Sequence, residues 1–216
     1  MFGDVWKFWK KETLIDKAGE EVEKMLVIAR NMYNIAMSVL LNKEKSQADL
    51  YEMDRGLNAI QMDVRRKILE HLSINPAMDI TASLILITIV IDIERLGDYS
   101  KNVLDLSNKI GRKLDGGYFD DIRVLRDEVE PLFDETIEVI SEINAEKGKN
   151  VMQKCTDIAT RCETLIDHLF EDELGVKDAI IATLLLRYIK RVASHLKNVA
   201  SSVVNPFARL GYKPKE

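Results

Sequence analysis

An internal repeat constrains the fold of this chain more than any other feature of its sequence. Residues 93–103 read IERLGDYSKNV, and residues 189–199, which lie 96 positions further along, read IKRVASHLKNV. Five of these eleven positions are identical, and the substitutions Leu96/Val192 and Gly97/Ala193 are alike in kind. Similarity of this kind at a fixed offset indicates two copies of one supersecondary unit.

Helical periodicity runs through nearly the whole chain, which has only four prolines and ten glycines to interrupt it. The predicted helices cover residues 13–41, 46–72, 76–110, 118–147, 151–173 and 177–204. We expect Asn75 to cap the third helix, Pro131 to kink the fourth, and Gly148 to end it. The predicted fold is therefore all-α, with two tandem three-helix bundles related by internal duplication.

The glycines near the middle of the chain set the predicted domain boundaries. Gly111, Gly116 and Gly117 break the helical pattern there. We place the first bundle, with an aromatic N-terminal extension, at residues 1–112 and the second at residues 118–205. Residues 206–216 are predicted to be a C-terminal tail.

Charge and composition exclude several classes of protein. The net charge is −5 and the sequence pI about 5.4, whereas a nucleic-acid-binding domain normally carries a basic face. The longest apolar stretch, residues 82–91, is too short to span a bilayer. Cys155 and Cys162 are too far apart on one helix for a disulfide. Free thiols and the lack of a signal peptide lead us to expect a cytoplasmic protein.

One stripe along the third predicted helix changes from apolar to polar. It passes through Ile80, Leu84, Ile87 and Ile91, which we expect to be buried, and continues through Glu94, Asp98 and Asn102. Carboxylates one turn apart repel each other, so if they are buried they have to be paired, protonated or bound to a cation. The alternative is that the helix emerges into water after Ile93 and that both acids are solvated.

Two further features favour a cation site. Gly97 lies between the acids, where it allows close approach of another backbone or a ligand. The second predicted helix adds oxygen-bearing side chains at helical spacing, Asp54, Asn58 and Gln61. Carboxylate and amide oxygens suit hard cations. A di-iron bundle site is excluded because the chain has no Glu-x-x-His pair.

These residues resemble the PhoU family. The family is marked by a helix reading roughly E-R-[IL]-G-D and an asparagine four residues later, here residues 94–98 and Asn102. Asn75-Pro76 followed by Asp79, and the stretch at residues 53–68, are similar to flanking parts of the family pattern. The resemblance runs from about residue 20 to 205. It implies two three-helix bundles forming a homodimer. It also implies a cytoplasmic regulator of phosphate uptake that acts on a membrane transporter and in some cases on a sensor kinase.

The resemblance also implies a metal ion, iron or zinc, on the surface of the bundle. Carried over residue by residue, it makes Glu94, Asp98 and Asp54 the first ligands, with Asn58 and Asn102 as weaker ones. Gln61 departs from the glutamate that is usual in the family.

The second half departs further from the family pattern. Lys190 and Ser194 stand where the motif has its two acids, and Arg161 follows Asp157 by four residues. We therefore expect metal at the first motif only. Lys190 and Arg161 have three interpretations. They pair with Asp157, they bind an anion such as phosphate, or they belong to a drifted site, one that has lost the acids of the motif and is closed by surface salt bridges.

The first eleven residues contain both tryptophans of the chain. Phe2, Val5, Trp6 and Trp9 fall on one helical face. We predict that Phe2, Trp6 and Trp9 contact a membrane interface or a transporter. The alternative is that they cover an apolar patch on the bundles or on a second protomer.

No pattern typical of an enzyme is visible in the sequence, which lacks a Ser-His-Asp set, a Cys-His pair and a phosphate-binding glycine loop. We therefore predict a non-enzymatic, metal-binding regulator of phosphate transport. One alternative is a structural partner of a transporter without metal. Another is a metal-dependent phosphohydrolase built on the acids of the first half.

Overall fold

Six α-helices make up a computed structural model of the chain, which describes residues 13–44, 46 and 48–212. The helices are α1 (Leu14–Asn42), α2 (Leu50–Ile74), α3 (Ile80–Asn108), α4 (Tyr118–Glu142), α5 (Ala145–His168) and α6 (Val176–Val204). A 3₁₀ turn at Phe207–Arg209 follows α6. The described residues contain no β-strand.

Side-chain caps fix where three of the helices begin. Thr13 forms a capping box with Asp16 at the start of α1. Asp49 accepts hydrogen bonds from two backbone amides in the first turn of α2, and Asn144 does the same for α5. Each cap satisfies amides that have no partner within the helix.

The helices form two three-helix bundles. α1, α2 and α3 contact one another, as do α4, α5 and α6, while the α1–α4 and α3–α6 contacts join the bundles. The apolar faces of all six helices contribute to one hydrophobic core. The predicted all-α fold of two tandem bundles is confirmed, and α3 and α6 begin and end 96 residues apart, as the repeat requires.

The bundles meet along α3 and α6 through a polar and aromatic contact. Asp92 Oδ1 lies 2.7 Å from His195 Nδ1 and accepts a hydrogen bond of 2.9 Å from Asn198. The ring of Tyr99 stacks on His195, with centroids 5.7 Å apart, and lies 6.0 Å from the ring of Tyr188. Residues later in α3 thus face residues earlier in α6, so the two helices run antiparallel.

The predicted boundary between the fourth and fifth helices was wrong. α4 ends at Glu142, and α5 begins at Ala145 because Asn144 caps it. Gly148 lies inside α5 instead of ending α4. A Cβ atom there would come within 2.6 Å of Val204 Cγ2 and 3.3 Å of the carbonyl oxygen of Ala200. This glycine therefore allows α5 and α6 to approach closely.

The predicted start of the third helix was also wrong. The Asn75 amide donates to the carbonyl oxygen of His71, so Asn75 ends α2. α3 starts after Asp79, whose carboxylate lies 3.2 Å from Nε2 of the buried His71. This contact ties the last turn of α2 to the start of α3.

The apolar stripe expected to be buried on α3 faces solvent instead. Ile80, Leu84 and Ile91 are exposed, and Ile87 is only partly buried. The buried residues of α3 lie on its other faces, because the helix packs against α1, α2 and α6 together.

Among the helices of the described residues, none combines the length and the hydropathy of a transmembrane span. Phe2, Trp6 and Trp9 lie outside those residues, so the predicted membrane or transporter contact stays a prediction.

Gly148→Ala should lower the free energy of unfolding by about 1–3 kcal/mol, because the new methyl group overpacks the α5–α6 contact. Gly56→Ala is the matched control. Gly56 lies in α2, and a Cβ atom added there would have nothing within 4 Å, so the change should stabilise the protein by about 1 kcal/mol. Urea denaturation measures both. Equal effects of the two substitutions would contradict the close packing at Gly148.

Candidate functional site

Gly97 positions the acidic turn of α3 against α2. A Cβ atom at this residue would come within 2.7 Å of Leu57 Cδ2 and 3.5 Å of Asp54 Oδ1. The close approach of the helices brings Asp54 beside Asp98 and Glu94, as the sequence predicted. We call Asp54, Glu94 and Asp98 the acid cluster.

Lys101 joins two members of the acid cluster. Its Nζ lies 2.7 Å from Asp54 Oδ2 and 3.0 Å from Asp98 Oδ1. Burial opposes the charge of Lys101, but the hydrogen bonds with Asp54 and Asp98 outweigh it and raise the pKa of the ammonium group. Lys101 is therefore a built-in counter-charge of the cluster.

Arg95 neutralises the solvent-facing side of the cluster. Its Nη1 lies 3.0 Å from Asp98 Oδ2, and its Nε lies 3.8 Å from Glu94 Oε2. Burial raises the pKa of Glu94, the negative charges of Asp98 and Asp54 raise it further, and Arg95 and Lys101 act in the opposite direction. The contact of Glu94 with Arg95 is also longer than the contacts of Asp54 with Lys101 and of Asp98 with Arg95.

The amide side chains predicted as weaker ligands take different positions. Asn58 donates a 3.2 Å hydrogen bond to Asp54 Oδ2 and so lies against the acid cluster. Gln61 is buried and donates to the carbonyl oxygen of Val90, which makes it a structural link between α2 and α3. Asn102 is exposed. It lines a neighbouring cleft of about 370 Å³ together with Tyr51, Arg95, Asp98, Tyr99, Lys101 and Asp105.

The acid cluster has donors suited to a hard cation, but an ammonium group already uses them. Within the described part of the chain, no three His, Cys, Asp or Glu side chains are placed to hold one metal ion. Asp54 Oδ1 is nevertheless buried and has no hydrogen-bond partner among the described residues. A buried, unpaired carboxylate oxygen fits a cation ligand, provided that the cation replaces the ammonium of Lys101.

The matching region of the second half is closed by surface ion pairs. Lys190 pairs with Glu163, and Arg161 pairs with Glu128. Asp157 accepts a hydrogen bond from Gln153, so the pairing of Lys190 or Arg161 with Asp157 was the wrong alternative. The interpretation as a drifted site closed by salt bridges agrees with this geometry.

The sequence analysis did not include Lys101 among the site residues and so missed its role in the cluster. Its spacing was the available signal, since a lysine three residues after Asp98 lies on the same side of the helix. Asp92 was missed as well, because its partners lie on α6, about a hundred residues away in sequence.

Comparison with known proteins agrees with the resemblance described from the sequence. Residues 22–107 match the model of the PhoU domain. The "Phosphate-specific transport system accessory protein PhoU homolog" of Synechocystis sp. is 19% identical over 202 residues, which cover 89% of this chain and 88% of that protein.

Two solved structures have the same fold. The phosphate transport system regulatory protein PhoU from Streptococcus pneumoniae superposes with a TM-score of 0.77 at 13% identity, covering 88% of this chain and 92% of that one. PhoU from Pseudomonas aeruginosa gives 0.65 at 21% identity, covering 94% and 97%.

The fold and the acid cluster define an all-α protein of two three-helix bundles with a charged site on its first half. The PhoU domain match and the similarity along the rest of the chain confirm the predicted resemblance to the PhoU family.

Glu94→Gln should stabilise the protein more at neutral pH than in acid. A carboxyl group whose pKa is higher in the folded than in the unfolded state costs stability as pH rises above its ordinary value of 4.5. Glutamine removes that cost. The gain over wild type should therefore grow from about pH 4 to about pH 7, as measured by thermal or urea unfolding.

Glu70→Gln, at an exposed position of α2, is the control and should show no such growth. A gain for Glu94→Gln that stays constant over this pH range would contradict the effect of partial burial on its carboxylate.

Proposed function

We propose that this chain is a non-enzymatic, cytoplasmic regulator of phosphate transport. It would act through a membrane phosphate transporter or the transporter's sensor kinase. The observation that carries the proposal is the PhoU domain at residues 22–107, in a chain similar along most of its length to a phosphate transport accessory protein. The homodimer implied by the resemblance stays a prediction.

The burial of both thiols argues against an enzyme with a cysteine nucleophile and so supports a regulator. Cys155 and Cys162 are buried, and burial raises the pKa of each thiol to about 12. Neither forms a reactive thiolate near neutral pH. Two of the histidines contact carboxylates: His71 lies 3.2 Å from Asp79, and His195 lies 2.7 Å from Asp92.

The proposal includes a metal ion that competes with the ammonium group of Lys101 for the acid cluster. Asp54, Glu94 and Asp98, which are not arranged around one point in the structure, would have to turn their side chains together to hold the ion, with amide oxygens from Asn58 and Asn102. A bound cation removes the repulsion among the carboxylates, which is the role that the ammonium of Lys101 fills in the structure. The ion and the ammonium group therefore exclude each other.

Metal content should depend on the first half alone. Asp98→Ala should reduce bound iron or zinc to background, and Ser194→Ala should leave it unchanged. Lys101→Met should raise metal affinity by at least about tenfold, because it removes a positive charge from the carboxylates. Elemental analysis of purified proteins, with titration of added metal, measures these effects. Equal metal loading of both halves, or weaker binding by Lys101→Met, would contradict the competition.

Loss of this chain from its host should raise uptake of labelled phosphate when phosphate is abundant, and expression of the wild-type chain should restore repression. Unchanged uptake in the deletion strain would contradict the proposed function. Restoration by Asp98→Ala would favour the structural partner without metal. Phosphate release by the purified, metal-loaded protein, abolished by Glu94→Ala, would favour the phosphohydrolase.

A further inference from the structure

A cleft of about 530 Å³ lies where the end of α3 meets the start of α6. Its apolar lining is aliphatic and consists of Leu106, Ile110, Ile180, Ile181 and Leu184. Ile180 is 54% exposed, and Ile181 and Leu184 are only partly buried, so the cleft keeps apolar surface in contact with water. A concave site of this volume, mostly apolar with a few polar groups, is typical of small-ligand sites.

The segment after α6 shows what the segment after α3 leaves undone. Asn205 donates hydrogen bonds to the carbonyl oxygens of Arg209 and Tyr212, the 3₁₀ turn contacts α3, and Leu210 packs against the hydrophobic core. Lys109 is the equivalent of Asn205, 96 residues earlier, and its side chain makes no hydrogen bond within the described part of the chain. The chain therefore packs onto α3 after α6 but leaves an aliphatic cleft beside α6 after α3.

Two side-chain contacts fix the shape of the cleft. The ammonium group of Lys43 donates a 2.6 Å hydrogen bond to the carbonyl oxygen of Ile110, which holds the residue after α3 in place. Arg112 pairs with Asp178, and this ion pair joins the segment after α3 to the first turn of α6. Because the cleft is already formed, a ligand would not have to order its walls.

The rim of the cleft is positive. Lys109, Arg112 and Lys177 line it, and Asp178 is already paired with Arg112. Lys109 and Lys177 are exposed and form no ion pair with any described residue. Among the described lining residues, none has an aromatic ring on which a nucleotide base could stack. Two available ammonium groups beside aliphatic walls suit an anion that has an aliphatic chain.

The dimensions of the cleft favour a small molecule over a protein partner. Ten described residues line it, whereas a stable protein interface takes about 20–30 residues on each side. The wall from Lys177 to Leu184 is roughly 10 Å long at about 1.5 Å per residue. An extended chain of roughly eight to ten carbons, with bonds of about 1.5 Å, has a similar length.

We propose that this cleft binds a small amphipathic anion, an aliphatic chain of roughly eight to ten carbons with a carboxylate or phosphate head. The chain lies against Leu106, Ile180 and Leu184, and the head pairs with Lys109 and Lys177. The site is separate from the acid cluster and opposite to it in charge. The inference goes beyond the proposed regulation of transport and does not depend on it.

Isothermal titration calorimetry of the full chain tests the binding, with each ligand kept below its micelle-forming concentration. We expect one decanoate or decyl phosphate per chain, with the tighter of the two identifying the preferred head. Decanol, which has no charge, should bind at least about tenfold more weakly, and salt should weaken only the anions. From hexanoate to decanoate, affinity should rise about threefold with each methylene and then level off in longer chains.

Ile180→Trp should fill the cleft and weaken decanoate binding by about tenfold or more. The matched control is Leu84→Trp, because Leu84 is the equivalent exposed position of α3 and does not line the cleft. The control should bind decanoate as the wild type does. Thermal melts followed by circular dichroism check that both variants fold.

Lys109→Gln/Lys177→Gln tests the charged rim without changing the aliphatic walls. This double variant should bind decanoate about fivefold more weakly and decanol as the wild type does. Lys17→Gln/Lys149→Gln is the control, since it changes the net charge equally at exposed positions outside the cleft. It should leave decanoate binding unchanged.

Several results would overturn the proposal. These are absence of binding by the wild type, equal affinity for decanol and decanoate, and unchanged binding by Ile180→Trp. Uptake of several ligands per chain, with affinity that keeps rising as the chain lengthens, would show non-specific adsorption instead of a site. Loss of a dimer by Ile180→Trp in analytical ultracentrifugation, without ligand binding by the wild type, would assign the cleft to a second copy of the chain.

Discussion

The packing of α3 against three neighbours determines most of the features described above. α1, α2 and α6 all contact this helix, which leaves only one narrow strip facing solvent. That strip carries Ile80, Leu84 and Ile91 in its first half and the Glu94, Asp98 turn in its second. Ile80 and Leu84 therefore lie on the same strip of α3 as Glu94 and Asp98, because burial takes up the remaining faces of the helix.

The acid cluster shows how a helical surface manages crowded carboxylates. Gly97 lets α2 approach until Asp54 lies beside the acids of α3, and the resulting repulsion requires a positive charge. Lys101 supplies this charge from the same helix. A lysine offsets this repulsion in the structure, and a metal ion would offset it in the proposed metal-bound state, in which residue 101 would affect metal affinity.

The repeat preserves the backbone of the two halves while their chemistry has diverged. α3 and α6 have equivalent limits, yet the acids of the first motif correspond to Lys190 and Ser194 in the second. The turns between the second and third helix of each half also differ in charge. Residues 72–78, in the half with the acid cluster, are uncharged, whereas residues 169–176, in the half with Arg161 and Lys190, include three acids. Antiparallel packing of α3 and α6 places these turns at opposite ends, so the molecule has two chemically distinct ends.

Sequence alone was sufficient to predict six helices, two bundles and the grouping of Asp54 with Glu94 and Asp98. These features depend on local periodicity, the repeat and helical spacing. It did not predict that Ile80, Leu84 and Ile91 would be exposed, because an apolar stripe looks the same in sequence whether its helix has one neighbour or three. It also missed the pairing of Asp92 with His195. That contact, like the exposed strip of α3, arises only when the two bundles pack together.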